Sequence, residues 1–374
     1  MSRHIAAATL VTASLVGTIA WAGHELPIYP SFYPHEIDIT TVAPEQALPL
    51  LERGKIQAYI GTDPQPGSAL PGSVGTVEAL GSFVVVEVNP ASPRDACAIA
   101  ASVIGELAEH GSIFVFHPYP VTPFHGDYLY HADLAAAAKR RWIASEGKPP
   151  AGLKVKPVDV LAKRLVRSDW QTQVLDWDAA VATIDADAMV AQAMTAVNGW
   201  LGPPWLREGW FHADLLLADA PTEPEAKGRA AADVERLTSG DYADMVEHVN
   251  LERDLVSVLS GGCRKTVAGY TIKRHYFSDD YSAGIENLAY DSLAGFAAPM
   301  FLRTVKLKDF PWNGWLGLGI DARPVAAWNP VAGFTDNFGR VMWFAIGDPA
   351  ALPAPDDSGW TINRIADVAA TPTP

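Results

Sequence analysis

Cysteine is scarce in this sequence, and its scarcity excludes several kinds of cofactor site. Only Cys97 and Cys263 occur among 374 residues, and they form no Cys-x-x-Cys pair. Covalently attached haem, an iron–sulfur cluster and a Cys-based zinc ribbon therefore lack ligands. Two alternatives stay open for the thiols. An oxidising compartment permits one disulfide, whereas the apolar helical run around Cys97 also suits a buried thiol.

Basic residues are few as well. The chain has 28 Lys and Arg against 43 Asp and Glu, a formal net charge of −15. Binding to phosphates depends on Lys and Arg that displace counterions, so neither a nucleic acid nor an anionic membrane surface is expected as a partner. The sequence also lacks a Gly-x-Ser-x-Gly elbow, a P-loop and a dinucleotide fingerprint. It therefore contains no motif that indicates a serine hydrolase, a nucleotide-binding protein or an NAD-dependent enzyme.

The longest apolar run lies at the N-terminus. Residues 1–22 carry the basic Arg3 near their start and end in Ala20-Trp21-Ala22, which fits the small-x-small rule for signal peptidase. We predict an export signal that is cleaved after Ala22, and therefore a periplasmic or secreted protein. The alternative is a retained anchor, because the run approaches the ~18 apolar residues of a spanning helix. No later segment is as long and apolar, so the mature chain is not expected to span a membrane.

Strand and helix patterns alternate in the first third of the chain. A continuous Val run in "GSFVVVEVNP" is typical of a strand that is buried on both faces. Helical patterns lie between the strand patterns, as in parallel crossover units. We predict an α/β fold whose N-terminal half is a mostly parallel sheet with helices on its faces. The predicted strands cover residues 37–42, 56–61, 81–90 and 112–116. The predicted helices cover residues 44–55 and 95–109.

The later sequence changes character twice. It is helical from about Ala132 to Gly261, with one long helix predicted over 178–202. It is β-rich afterwards, with strands predicted over 266–277, 300–310, 315–320, 325–336 and 339–348 and a hairpin turn at "TDNFG". An α+β arrangement is the alternative fold class. We place a domain boundary near Pro149-Pro150. It gives an α/β domain over 23–149, a helical then β-rich domain over 150–368 and a disordered tail over 369–374.

One early segment resembles a known family. The stretch "EIDITTVAPEQALPLLERGKIQAYIGTD", Glu36 to Asp63, looks like a strand–helix–strand unit of periplasmic solute-binding proteins, in which a helix leads into a strand that ends in a small residue and an acid. The resemblance implies an exported protein that binds a ligand or serves as an accessory protein.

The ends of the predicted strands give a candidate ligand site. In open α/β sheets, ligands collect outside the carboxyl ends of the strands. The predicted strands end next to Asp63, Asn89 and His117. We therefore predict a site for a small-molecule ligand or a periplasmic partner protein that is formed by Asp63, Asn89, His117, Tyr119 and Tyr128.

The stretch "HPYPVTPFHGDYLYHAD", His117 to Asp133, also has the composition of a metal site. His117, His125 and His131 with Asp127 can bind a divalent transition metal, and three imidazoles with an open position activate water. This predicts, as an alternative function, a periplasmic metal-dependent hydrolase. The competing interpretation is a crossover loop that its prolines stiffen.

A further alternative is carbohydrate binding. Indole rings stack on sugars, and the chain groups tryptophans in two segments, Trp200, Trp205 and Trp210 in one and Trp312 and Trp315 in the other. Core packing is the competing interpretation of these residues.

Overall fold

The computed structural model describes residues 34, 36–64, 69–109, 114–144, 150–173, 176–196, 203–309, 314–325, 336–346, 351–355 and 359–362. The export signal over 1–22 and the tail from residue 369 lie outside these ranges and stay predictions. No helix in the described ranges combines the length and the apolar character that crossing a bilayer requires.

Strands and helices alternate along most of the chain. The strands are β1 (Glu36–Thr41), β2 (Ala58–Ile60), β3 (Val74–Val88), β4 (Val115–Phe116), β5 (Val155–Pro157), β6 (Ala179–Asp185), β7 (Lys265–Ser278), β8 (Ile285–Asn287), β9 (Lys306–Leu307), β10 (Trp315–Ile320), β11 (Ala351–Pro353) and β12 (Trp360–Ile362). The helices are α1 (Pro44–Glu52), α2 (Ala96–Ala108), α3 (Tyr128–Ala144), α4 (Val160–Leu165), α5 (Ala186–Ala196), α6 (Gly209–Leu217), α7 (Pro224–Ser239), α8 (Met245–Ser260), α9 (Pro299–Thr304) and α10 (Asn337–Ile346). A 3₁₀ turn at Pro204–Arg207 precedes α6.

A mixed sheet joins both halves of the chain. Among the described residues its order is β1-β10-β2-β7-β3-β6-β5, and β4 also pairs with β7. The pairs β1–β10, β10–β2 and β5–β6 are parallel, whereas β7 runs antiparallel to β2, β3 and β4. The first four strands therefore point the same way, but β10 and β7 lie between them. The α/β fold class is confirmed, and the boundary near Pro149-Pro150 stays a prediction.

Strand β3 is covered on both faces, which explains its Val run. Val84, Val86 and Val88 belong to the core under α2, while Phe83 and Val85 belong to the core under α6 and α8. Successive side chains of a strand point to opposite faces, so the part of β3 between the two helical layers, residues 83–86, is apolar at every position.

Three predicted elements are wrong. The first part of the helix predicted over 178–202 is β6, and the helix begins only at Ala186. The first five residues of the strand predicted over 300–310 belong to α9, and the short β9 follows them. The strand and hairpin predicted around 339–348 are replaced by α10, because Asp336 accepts a hydrogen bond from the Gly339 N–H and starts a helix there. Residues 326–335 lie outside the described ranges.

A disulfide joins Cys97 in α2 to Cys263 just before β7. Of the two alternatives that the sequence left open, the structure therefore shows the bridged one. Cys263 packs in the core under α2, so the bond ties that helix to the central strand of the sheet.

His275 is a buried histidine of β7 that lacks hydrogen bonds. Neither ring nitrogen has a partner, and the ring lies against Phe296 at a centroid distance of 5.5 Å. Burial, with a contribution from Lys273, lowers its pKa to about 3, although Asp187 opposes the shift. The native state therefore keeps this ring neutral at a pH where an unfolded chain protonates it.

The lowered pKa of His275 predicts a loss of stability in acid. Between pH 6.5 and pH ~3, His275 is protonated in the unfolded chain but neutral in the native state. This difference lowers the free energy of unfolding by about 1.4 kcal/mol for each pH unit below 6.5. In His275→Leu, we expect the difference in unfolding free energy between pH 7 and pH 4 to shrink by about 3 kcal/mol. Urea unfolding at both pH values measures it, and an unchanged difference would contradict the assignment.

Candidate metal centre

Of the predicted ligand residues, Asp63 lies far from His117, and Asn89 follows the end of β3. On β7, Tyr59 of β2 pairs with Tyr276 and Phe116 of β4 pairs with Gly269, so these two positions are separated by about 23 Å along β7 at ~3.3 Å per residue. Asp63 accepts a hydrogen bond from the Tyr276 hydroxyl at 2.6 Å. Asn89 donates to the carbonyl of Trp177 at 2.8 Å. Each of these hydrogen bonds connects a loop to another part of the chain. The role of Asp63 and Asn89 in a ligand site stays a prediction.

The other three predicted ligand residues do come together. The ring of His117 lies 6.5 Å from that of Tyr119 and 5.9 Å from that of Tyr128, and Tyr270 of β7 completes the group. The His117 Nε2 atom hydrogen-bonds with the carbonyl of Val121 at 2.8 Å, which fixes the turn that follows β4. Burial lowers the pKa of His117.

Both ring nitrogens of His125 are occupied. The Thr122 N–H donates to its Nδ1 at 2.9 Å, which leaves the proton on Nε2. This Nε2–H donates to Nδ1 of His212 at 3.0 Å, and His212 in turn donates from Nε2 to the Leu206 carbonyl at 3.1 Å. Burial lowers the pKa of both rings, that of His212 to about 4. The arrangement is a chain of neutral histidines that links two loops, and it has no free nitrogen for a metal.

Asp127 and His131 meet a third residue, Glu252, in the core. Helix α3 begins at Tyr128, four residues before the predicted Ala132, so His131 lies in its first turn and faces α8. The His131 Nε2 atom lies 3.9 Å from Oε2 of Glu252. The ligand atoms of the three side chains lie within 4.8 Å of one another, and all three residues are buried. We call Asp127, His131 and Glu252 the inner group.

Neighbouring groups hold the inner group in place. The carboxylate of Asp127 accepts hydrogen bonds from the Gly209 N–H at 3.0 Å and from the Trp210 N–H at 3.2 Å, so it caps α6 across the core. The Tyr119 hydroxyl hydrogen-bonds with Nδ1 of His131 at 3.0 Å. These contacts orient both side chains toward Glu252.

Two buried atoms of the inner group lack partners. The Nε2 atom of His131 and the Oε2 atom of Glu252 have less than 1 Å² of exposed surface and form no hydrogen bond. Burial, together with the nearby Asp127, raises the pKa of Glu252 to about 8, and burial lowers the pKa of His131. Both shifts favour neutral forms at pH 7, although the nearby Asp127 partly opposes the lowered pKa of His131.

Two further side chains extend the cluster toward the surface. The Nδ1 atom of His248 lies 3.3 Å from Oε1 of Glu252, one helical turn away in α8. Glu208, just before α6, accepts a hydrogen bond from the Trp210 indole N–H. Glu208, His248 and Glu252 also place ligand atoms within 4.8 Å of one another, and we call them the outer group.

The tryptophans predicted for sugar stacking are partly in the core. Trp210 is fully buried, and its ring packs against Trp205 and Phe211. Trp315 is exposed, whereas Trp200 and Trp312 lie outside the described residues. Carbohydrate binding stays a prediction that the packing of Trp205 and Trp210 does not support.

Comparison with known proteins finds similarity only among solved structures. No family model matches the chain, and no curated protein resembles it in sequence. The oligopeptide-binding protein AppA of Bacillus subtilis, solved with a nonapeptide, is similar at a TM-score of 0.38 and 10% identity over 71% of this chain and 58% of that protein.

Two other structures give similar values. The substrate-binding protein CtaP of an ABC transporter of Listeria monocytogenes has a TM-score of 0.43 and 12% identity over 71% of this chain and 58% of its own. NikA of Staphylococcus aureus, solved with Ni(L-His)2, has a TM-score of 0.35 and 11% identity over 66% of this chain and 57% of its own. The chain thus spans little more than half of each protein, and these values assign it no function.

Proposed function

We propose that this chain is an exported, ligand-binding protein whose ligand is a divalent transition-metal ion held by Asp127, His131 and Glu252. The observation that carries the proposal is the pair of unpartnered buried atoms, Nε2 of His131 and Oε2 of Glu252, which face each other at 3.9 Å. A buried polar atom without a partner costs about 1–3 kcal/mol, so a fold that retains two of them side by side calls for a ligand between them.

The spacing of these atoms suits a metal better than a hydrogen bond. At 3.9 Å they are too far apart to share a proton. Two ligands of a tetrahedral zinc ion, with bonds of roughly 2.1 Å, are about 3.4 Å apart, which a small side-chain rotation provides. Imidazole and carboxylate are the ligands that Zn²⁺ and similar first-row ions accept.

The surroundings of the inner group match those of protein metal sites. Histidine ligands usually bind a second group through their other nitrogen, and Tyr119 occupies that position on His131. Ligating carboxylates are themselves hydrogen-bonded, as Asp127 is by two backbone N–H groups. The exposed fractions of Asp127, His131 and Glu252 are 6%, 0% and 1%, which favours holding an ion over hydrolysis, since a catalytic metal keeps an open position.

An exported location agrees with two features of the chain. The disulfide between Cys97 and Cys263 is stable in an oxidising compartment. The predicted signal that ends at Ala22 directs a protein to such a compartment.

Competition with a chromogenic chelator tests the proposal on protein purified without a His-tag. We expect the wild type to take Zn²⁺ from the chelator, and Glu252→Gln to bind it at least ~100-fold more weakly, since even the loss of a residue that supports a ligand costs 10–100-fold. Glu235→Gln removes an exposed carboxylate of α7 and serves as the matched control. His117→Gln separates this centre from the histidine set that the sequence predicted.

Two results would contradict the proposal. The first is a wild type that binds none of Zn²⁺, Mn²⁺, Co²⁺ and Ni²⁺ above the level of a non-binding reference protein. The second is a Glu252→Gln variant that binds as tightly as Glu235→Gln.

A further inference from the structure

The outer group repeats the ligand chemistry of the inner group on the other side of Glu252. His248 and Glu252 are four residues apart in α8, a spacing that places both on one face of the helix. Glu208 reaches them from the start of α6. A histidine and two carboxylates thus meet on the outer side, as a histidine and two carboxylates meet on the inner side.

The two oxygens of Glu252 point to different histidines. Oε1 lies 3.3 Å from Nδ1 of His248, and Oε2 lies 3.9 Å from Nε2 of His131. A carboxylate in this position can give one oxygen to each of two metal ions. Ions that share ligands in this way lie ~3.5–4 Å apart in two-metal sites.

The cluster also gathers carboxyl groups away from solvent. Asp127, Glu208 and Glu252 are three buried carboxylates. Among the described residues, no Lys or Arg forms an ion pair with Asp127 or Glu252, since Arg253 of α8 turns instead to the exposed Asp133. A divalent ion bound between these carboxyl groups would offset the cost of burying them in ionised form.

The outer group is closer to solvent than the inner group. The side chain of His248 is 12% exposed, whereas that of His131 is fully buried. The ring of Tyr242, from the turn between α7 and α8, lies 4.5 Å from the His248 ring and is itself partly exposed. An ion in the outer group therefore has a short path to solvent past Tyr242 and His248.

We propose that the centre is dinuclear, with a second divalent ion bound by Glu208, His248 and Glu252, and with Glu252 bridging the two ions. This inference rests on the proposed function, because the inner ion occupies the other oxygen of Glu252. The outer ion exchanges with solvent faster than the inner one, since it lies beside the partly exposed His248.

The number of bound ions tests the inference separately from the proposed function. Zinc is measured by elemental analysis after saturation and gel filtration. We expect two ions per chain in the wild type and in Glu235→Gln, and one in His248→Ala and Glu208→Gln. Circular dichroism confirms that each variant is folded. One ion in the wild type, unchanged in His248→Ala, would overturn the dinuclear centre and leave the proposed function intact, whereas no ion at all would overturn both.

A spectroscopic measurement tests the bridge itself. Two Mn²⁺ ions that share a carboxylate are magnetically coupled, so the electron paramagnetic resonance spectrum of the Mn²⁺-saturated wild type should show a coupled pair. His248→Ala should show the spectrum of an isolated ion. Two uncoupled Mn²⁺ ions in the wild type would rule out the bridge by Glu252.

Discussion

Removing the Cys97–Cys263 disulfide will lower the free energy of unfolding by about 4 to 5 kcal/mol. The bond closes a loop of 166 residues, and a loop of that length restricts the unfolded chain strongly. The side chains are small and Cys263 lies in the core under α2, so Ala at both positions leaves only small gaps. Urea unfolding of the wild type and of Cys97→Ala/Cys263→Ala measures the difference.

A reducing agent provides the control for this prediction. It should lower the midpoint of the wild type to that of the double variant and leave the double variant unchanged. Equal stability of the wild type and the double variant under oxidising conditions would show that the bond does not constrain the unfolded chain as expected.

Saturation with zinc will raise the free energy of unfolding of the wild type by about 4 kcal/mol when free zinc is 1,000 times its dissociation constant. The native state holds the assembled inner group, and the unfolded chain does not, so binding energy adds to stability. In Glu252→Gln, which we expect to bind zinc at least ~100-fold more weakly, the increase at the same zinc concentration should be no more than about 1.4 kcal/mol. Urea unfolding with zinc and with a chelator measures each increase.

The same substitution should cost little stability without metal. Burial raises the pKa of Glu252 to about 8, so its carboxyl group is mostly protonated at pH 7 when no metal is bound, and Gln resembles that neutral form. Glu235→Gln should keep the full zinc effect. A Glu252→Gln variant that is strongly destabilised in chelator, or that gains as much from zinc as the control, would argue that Glu252 is a structural residue only.

Local patterns in the sequence predicted the fold class but not the full strand order. The Val run of β3 and the helical patterns on either side of it in the chain were sufficient to place a buried strand between helices. The segment Ala179–Asp185 has the Ala-rich composition of a helix, yet it pairs with β3 along its whole length. Pairing with a distant strand overrides local propensity, and no pattern within the segment indicates it.

The candidate site shows the same limit. The sequence identified Asp127 and His131, but grouped them with His117 and His125 because they are neighbours in the chain. His125 is satisfied by His212, 87 residues later, and the true neighbour of His131 is Glu252 in α8. The His248 to Glu252 spacing was a readable signal, since a histidine and a glutamate four residues apart share a helix face.

Anomalous diffraction from crystals soaked in zinc tests the central claim most directly. Data on the two sides of the zinc absorption edge locate the ions without reference to any assumed ligand. We expect a peak within about 2.3 Å of Nε2 of His131 and of a carboxylate oxygen of Glu252, with Asp127 as a third ligand. Zinc peaks that lie only at surface residues, with His131 and Glu252 unchanged, would contradict a metal centre between α3, α6 and α8.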